Sequence, residues 1–490
     1  MHGCVVRYGR QVAWAVVALA IGGCSRSAPD SGPIVLIVVD TLRADHVSCY
    51  GYPRPTTPNI CQLAADGVRF ERAYAPRTNT TPSIATMLTG RYPYRHGIRD
   101  LYRVLPPESV TIAERLREQG YRTGAFVSSF VMVRDFSGFD QGFEIYDDYV
   151  RTKEALRENY ERPAKLTVNR ALHWLEGAGT RAFLFLHLIE PHGPYMPPPD
   201  ELEAFALPAE GATVEPMQAP PYQRIPGLHY VNEFVGRYDG EIATADREIG
   251  RFLGRLREWG RYQTATVVVV ADHGESMGED GIWFAHGGGW SEAETHVPLV
   301  VKFPAGTPGI RPGTVVREPV SVVDVFPTVL AAAGLQDDTD DVATGMDLGA
   351  IATGRPRRKP LPVTETPHHA GLAFTAHGPE CTARWIIPWS AMTEDRVLID
   401  TTAAARWPAL TLGVNREPLA ASDACTRDVL RSVTPLMTDL LTYKLKTTVV
   451  HRADMGDRAA RSAFVNQRGD PLVPLQEHER EALRKLGYLE

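Results

Sequence analysis

The sequence has few cysteines, no block of charge of one sign, and no apolar run long enough to cross a bilayer. Six cysteines among 490 residues are too sparse for a small disulfide-built scaffold. A chain of this length fills one large core and a smaller unit with apolar side chains. The net charge of −7 is dispersed, which argues against nucleic acid or an anionic membrane surface as a partner. The run VAWAVVALAIGGC, behind Arg7 and Arg10, falls short of the roughly 20 residues of a spanning helix. Its layout is that of a secretory signal.

That segment ends Ile21-Gly22-Gly23-Cys24, which resembles a bacterial lipobox. Residues 1–24 are therefore expected to be a signal whose Cys24 is lipidated, anchoring the chain through acyl chains on one residue. Ser25 after the cysteine implies the outer membrane, with the chain facing the periplasm. Residues 25–33 read as a polar tether. Cys49, Cys61, Cys381 and Cys425 remain where disulfides can form. Local pairing, Cys49–Cys61 and Cys381–Cys425, is expected, and the spacing does not suit a zinc site.

What is present in quantity is apolar strand. IVLIVV (34–39), TGAFVS (123–128), AFLFLHL (182–188), TVVVVA (266–271) and VPLVVKF (297–303) are apolar on both faces, as buried parallel strands are. Helical segments separate them. TIAERLREQG carries a Thr111/Glu114 capping box and stops at Gly120. EFVGRYDGEIATADREIGRFLGRLREWG is one long amphipathic helix closed by Gly260. The alternation predicts an α/β fold with a doubly wound, largely parallel sheet sandwiched by helices. Residues 194–229 are rich in proline and read as a lid or substrate wall, or else as a disordered insertion. A boundary near 355 separates a catalytic domain (34–355) from a small C-terminal α+β subdomain (356–490).

Two strands run into acids, Asp40 and the pair Asp272-His273. Ligands in open α/β sheets bind beyond the carboxyl ends of strands, so these groups are expected on one rim, where they suit a metal. NTTPSIATMLTG places Thr80 or Thr81 at a helix N-terminus, with Pro82 in the first turn. Such a terminus attracts phosphate or sulfate, and a threonine hydroxyl there needs a metal to become a nucleophile.

These blocks resemble the sulfatase branch of the alkaline phosphatase superfamily. VVDTLRADHVSCYGYPRPTTPNICQLAADGVRFERAYA, TPSIATMLTGRYPYRHG, FLHLIEPHGPYMPP, YDGEIATADREIGRFL, VVVADHGESMGEDGIWFAHG, HVPLVVKFPAG and VSVVDVFPTVLAAAGL follow in the family's order. The resemblance implies an alkaline-phosphatase-like fold and an ester hydrolase. It also assigns roles: Asp40, Asp272 and His273 as metal ligands, and Thr80 as nucleophile and fourth ligand. His192 and His286 become catalytic groups facing the transferred group. Arg43 and Lys302 become contacts to the anion. His187, on an apolar strand, reads as a core histidine. His46 and His96 read as loop stabilisers, and Asp324 and Glu241 as packing residues.

The departures decide the chemistry expected. Sulfatases carry a Cys or Ser that matures to formylglycine; Thr80 cannot, so no formylglycine is expected. The family's Arg four residues on is Ile84 here, and the second Asp beside the first is Thr41. A formylglycine hydrate releases sulfate by re-forming its aldehyde, whereas a threonine ester must be attacked at its central atom. The expectation is therefore phosphoester hydrolysis or phosphoryl transfer with one divalent ion, Mn²⁺ or Zn²⁺ before Ca²⁺. A second zinc would have to recruit His187, His192 or His286. The substrate is a small molecule or a glycan or lipid ester. A sulfatase working without formylglycine and an inactive glycan-binding protein are the alternatives.

Overall fold

The computed structural model describes residues 32–150, 160–215, 217–336, 344–368, 371–379 and 382–388, with 432, 433 and 436. Cys24, His369, Cys381 and Cys425 lie outside these residues, as does most of the expected C-terminal subdomain.

Among the described residues, nine strands form the central sheet. In chain order they are β1 (Ile34–Val39), β2 (Val68–Tyr74), β3 (Arg122–Phe126), β4 (Ile145–Asp147), β5 (Ala182–Leu188) and β6 (Thr266–Ala271). A small hairpin, β7 (Ser276–Met277) and β8 (Trp283–Ala285), precedes β9 (His296–Lys302), β10 (Thr314–Val316) and β11 (Val320–Ser321). The spatial order is β10-β2-β9-β6-β1-β5-β3-β4, with β11 also on β2. β1 is parallel to both β5 and β6 and has no exposed residue. Burial on both faces is why its sequence is an unbroken apolar run.

The expectation that 297–303 is a parallel strand is corrected. β9 is buried but antiparallel to both β6 and β2. No crossover helix carries the chain from β6 to the far end of the sheet. The chain leaves β6 on the carboxyl rim, makes the β7–β8 hairpin there, and re-enters from the same rim, so β9 must run backwards. That rim connection carries Asp272, His273, Glu275 and His286. β2 was not foreseen, because VRFERAY is charged and only partly buried.

Helices cover the sheet as the pattern implied. Thr111 caps Ile112–Glu118 with both bonds of the capping box, and Gly120 follows at φ 78°. The long helix spans Val231–Glu258. Asp246 on that helix accepts the amides of Asn59 and Ile60 at 3.0 and 2.8 Å. It thus caps the start of Pro58–Asp66, whose own N-cap, Thr57, offers no side-chain bond. His46 bonds Asp239 at 2.8 Å, His96 meets Thr86 at 3.0 Å, and Asp324 accepts Ser321 N and Met346 N. Cys49 and Cys61 form the expected disulfide.

Past the boundary, β12 (Val363–His368), β13 (Gly371–His377) and β14 (Thr382–Pro388) make an antiparallel sheet. It packs on the loop leading into the helix Thr80–Thr89. Glu365 N bonds Pro76 O at 2.9 Å, and its carboxylate bridges Arg77 and Arg99, each at 3.0 Å. All three side chains are buried.

Candidate active site

Strand register assembles the site. Val38 pairs with His187 on one side and Val270 on the other. Side chains alternate along a strand, so Asp40 and Asp272, each two residues further, project on the same face as His187. Asp40, His187 and Asp272 offer ligand atoms within 4.8 Å of one another, and all three are buried. His187 is therefore not the core histidine expected: its Nε2 lies 3.5 Å from Asp40 Oδ2. AFLFLHL could not reveal this, because only the pairing of β5 with β1 sets its level against Asp40.

The backbone holds the acids rigidly. Asp272 Oδ1 accepts the amides of Thr41 at 3.2 Å and His273 at 2.9 Å. Thr41 sits at φ 55°, a conformation unusual for a β-branched residue. Its carbonyl accepts the Tyr238 hydroxyl at 2.6 Å. The remaining carboxylate atoms, Asp272 Oδ2 and both oxygens of Asp40, have no hydrogen-bond partner, and neither ring nitrogen of His187 has one. Burial and the neighbouring Asp272 raise Asp40 well above the usual carboxylate range. Burial also pulls His187 down to about 4, leaving it as the neutral imidazole that ligates metals.

His273 completes the cluster. Its Nδ1 lies 2.9 Å from Gly274 O, which fixes the proton on Nδ1 and leaves Nε2 as the lone pair. That Nε2 lies 3.4 Å from Asp272 Oδ2, 3.8 Å from Asp40 Oδ1 and 3.2 Å from Thr80 Oγ1. Three buried carboxylate oxygens without hydrogen-bond partners, two imidazoles and a hydroxyl converging in this way fit a divalent ion.

Thr80 is the first residue of the helix Thr80–Thr89, and Asn79 makes no side-chain cap. Thr80 therefore is not spent on capping, and Thr81 Oγ1, also buried, bonds nothing. Ser83 anchors this turn by donating to Asp272 O at 2.7 Å. Ile84, in place of the family's arginine, is fully buried.

His192, His273 and His286 lie together. The ring centroids of His192 and His286 are 5.2 Å apart, and those of His273 and His286 4.4 Å. His192 Nδ1 is 2.7 Å from Gly193 O, whereas His286 Nδ1 is 3.1 Å from Glu275 Oε1. Burial and His286 pull His192 down to about 3; burial pulls His286 down to about 4. Burial pushes Glu275 up to about 7.

Sequence reading missed Glu275 and Glu294. The latter accepts Ser276 Oγ at 2.7 Å and the amides of Gly287 and Gly289 at 2.9 and 3.0 Å. It thereby fixes the glycine loop behind His286.

Of the two expected anion contacts, Arg43 lies on the rim and Lys302 does not. Arg43 is held by Asp45 at 2.7 Å and Glu279 at 2.9 Å, and its Nη1 donates to Glu275 O. Lys302 pairs with Val267 at the start of β6, so it sits at the opposite end of the sheet from Asp272. Its ammonium is bound by the carbonyls of Tyr262, Gln263 and Ala265.

Comparisons with known proteins agree with this geometry. The sulfatase family model matches residues 33–335. An ulvan-active sulfatase of Formosa agariphila is 28% identical over 349 residues, covering 66% of this chain and 65% of that protein. Human arylsulfatase A is 29% identical over 387 residues, covering 71% and 72%. The solved structure of the phosphonate monoester hydrolase of Agrobacterium radiobacter superposes with a TM-score of 0.61 at 19% identity, covering 91% of this chain and 100% of that one. The chain belongs to the sulfatase family, a family of ester hydrolases within the alkaline phosphatase superfamily.

Proposed function

We propose that this chain hydrolyses or transfers a phosphate-type ester by in-line attack of Thr80, with one divalent metal ion. The observation that carries the reading is the Thr80 hydroxyl. It sits buried at a helix N-terminus, 3.2 Å from an imidazole lone pair and beside three carboxylate oxygens of Asp40 and Asp272 that have no hydrogen-bond partner. Asp40, Asp272, His187, His273 and Thr80 would hold the ion. Two imidazoles favour Mn²⁺ or Zn²⁺ over Ca²⁺, which prefers an all-oxygen cage. A bound ion supplies positive charge that lowers the pKa of the nucleophile and offsets charge on the ester oxygens.

The chain's own groups do the rest. Without the ion, His273 Nε2 accepts the Thr80 hydroxyl hydrogen; with an ion in place that lone pair would hold the ion, and the Thr80 proton would pass to solvent as Oγ1 turns to the helix mouth. The first amides of that helix have no intrahelical partners and receive the ester oxygens. Attack forms the Oγ1–P bond as the bond to the leaving alcohol breaks, and the departing oxygen takes a proton. His286 suits that delivery better than His192, because its Nδ1 faces a carboxylate rather than a carbonyl. Both rings are neutral at rest, and an anionic ester beside them favours the imidazolium. Water or an acceptor alcohol then attacks the phosphothreonine and restores Thr80.

A sulfatase reading has its own support, since the relatives compared are named for sulfate ester cleavage. Threonine argues the other way, because its ester cannot leave by re-forming an aldehyde. Initial rates on bis(4-nitrophenyl) phosphate, 4-nitrophenyl phosphate and 4-nitrophenyl sulfate with Mn²⁺ or Zn²⁺ separate the two. Mass spectrometry of the peptide carrying residue 80 after a substrate pulse is decisive. A phosphate adduct supports phosphoryl chemistry, and a sulfate adduct overturns it. The disulfide at Cys49–Cys61 supports an oxidising compartment, in keeping with export and a lipid anchor at Cys24.

A further inference from the structure

The proline-rich connection at 194–229 supplies one neighbour of the histidine cluster. Tyr222, in the turn Pro221–Gln223, lies nearly parallel to His192, with ring centroids 5.6 Å apart at 20°. A second neighbour comes from the loop that carries the nucleophile. Asn79 precedes Thr80 and stands at the mouth of the helix Thr80–Thr89. Its amide lies on Gly287, the residue after His286, so close that a Cβ there would fall 2.6 Å from Asn79 Nδ2. Glycine at 287, at φ 92°, is what lets the two loops meet. Each loop is fixed from elsewhere. Glu365 holds Pro76 O and Arg77, Ser83 N bonds Asn79 O at 3.3 Å, and Glu294 holds Gly287 N at 2.9 Å.

Asparagine is among the best residues for capping a helix, through its side-chain oxygen on the first amides. Asn79 does not cap. Its amide is turned to Gly287 instead, and the helix mouth stays open. Among the described residues nothing bonds that amide, and the residue is half-buried, within reach of a ligand in the site. A primary amide so placed offers two N–H donors between the nucleophile and the loop of His286. The family's arginine four residues after the nucleophile is the buried Ile84, whose side chain offers the ester oxygens no donor.

We propose that the Asn79 amide donates to an oxygen of the transferred group, beside the first amides of the helix, as a further catalytic residue of this site. This rests on reading the site as an esterase. Donors already fixed where the transition state carries its charge stabilise it without reorganisation at the moment of reaction. An amide held between two separately anchored loops is a donor of that kind.

Two measurements at pH 8 on wild type, Asn79→Asp and Asn79→Ala test this. Asn79→Asp keeps the shape and removes the donors, whereas Asn79→Ala removes both. The first measurement is calorimetric titration of inorganic phosphate and of sulfate into the Mn²⁺- or Zn²⁺-loaded proteins, which needs no turnover. Wild type is expected to bind at least one of the two ions. Asn79→Ala is expected to bind it roughly tenfold or more weakly, and Asn79→Asp more weakly still, because a carboxylate repels the anion. The second is kcat on 4-nitrophenyl and phenyl esters. Asn79→Ala is expected to lose about a hundredfold or more, by the same factor on both, since the contact is to the group they share. Packing against Gly287 alone predicts the reverse order, with Asn79→Asp close to wild type and Asn79→Ala impaired, and that result would overturn the contact. So would equal anion affinity in all three proteins, a wild type that binds neither ion, or a larger loss on the phenyl ester, which would place the effect on His286. If wild type binds an ion and turns over no ester, the esterase reading fails, and the titration still decides the contact.

Discussion

Replacing Asp40 with asparagine tests the metal centre without any substrate. Asp40 and Asp272 are buried side by side, and neither Asp40 oxygen is bonded. In the metal-free protein two such carboxylates repel, which is why burial and Asp272 raise Asp40. The folded state then holds the Asp40 proton more tightly than the unfolded chain does. Its contribution to stability is present below the unfolded pKa of about 3.9 and is lost as pH rises through the folded value. Metal-free wild type should thus be less stable at pH 8 than at pH 5, and Asp40→Asn should flatten that slope and gain stability at pH 8. Metal reverses the order. At 100 times its Kd an ion adds about 2.7 kcal/mol. Over a cooperative unit of roughly 300 residues, at about 2.1 cal/mol/K per residue, that is a rise in Tm of about 4 °C. Differential scanning fluorimetry at two pH values, with EDTA or with Mn²⁺ or Zn²⁺, reads all four states. A less stable Asp40→Asn protein in EDTA, or equal stabilisation of both proteins by metal, would refute the electrostatic reasoning.

Four other perturbations have definite outcomes. Thr80→Ala should lower turnover of an aryl ester by roughly a thousandfold or more, Thr80→Ser should retain part of it, and Thr81→Ala should stay within about tenfold of wild type; initial rates decide. His286→Ala should slow an alkyl ester at least about tenfold more than a 4-nitrophenyl ester, because nitrophenolate departs without a proton; paired kcat values show it. Glu365→Ala leaves Arg77 and Arg99 as buried charges without their common partner and should cost about 3–5 kcal/mol, read as a lower urea midpoint with an unchanged m-value. Reducing Cys49–Cys61, which closes a separation of 12 residues, should cost about 3 kcal/mol by loop entropy, and a Cys49→Ser/Cys61→Ser protein should melt at the temperature of the reduced protein.

Much of the scaffold was legible because the signals were local. β1, β5 and β6 are unbroken apolar runs, and Thr111/Glu114 is a capping box that needs only four residues to read. Strand direction was not legible: VPLVVKF looks the same whichever way it runs, and the return from β6 along one rim set it antiparallel. β2 escaped because its charged residues hide a strand that is paired on both edges.

The candidate site divides in the same way. Asp40, Asp272 and His273 could be named because each ends a readable strand, and Thr80 because a proline two residues on marks a helix start. Of the two expected cations, only Lys302 misled. The lysine sits at the far end of its strand, whereas the arginine lies on the rim, held by Asp45 and Glu279.

By itself, then, the sequence determined the layered α/β architecture, the family, and the residues that end strands and begin helices, because hydrophobic period and capping act over a few residues. Only the tertiary structure decided that His187 faces Asp40, that Glu275 stands behind His286, and that Asn79 lies on Gly287. Each of these contacts depends on register or on a loop folded back across the sheet. Such pairings are fixed by packing between segments distant along the chain, and no local pattern in either partner encodes them.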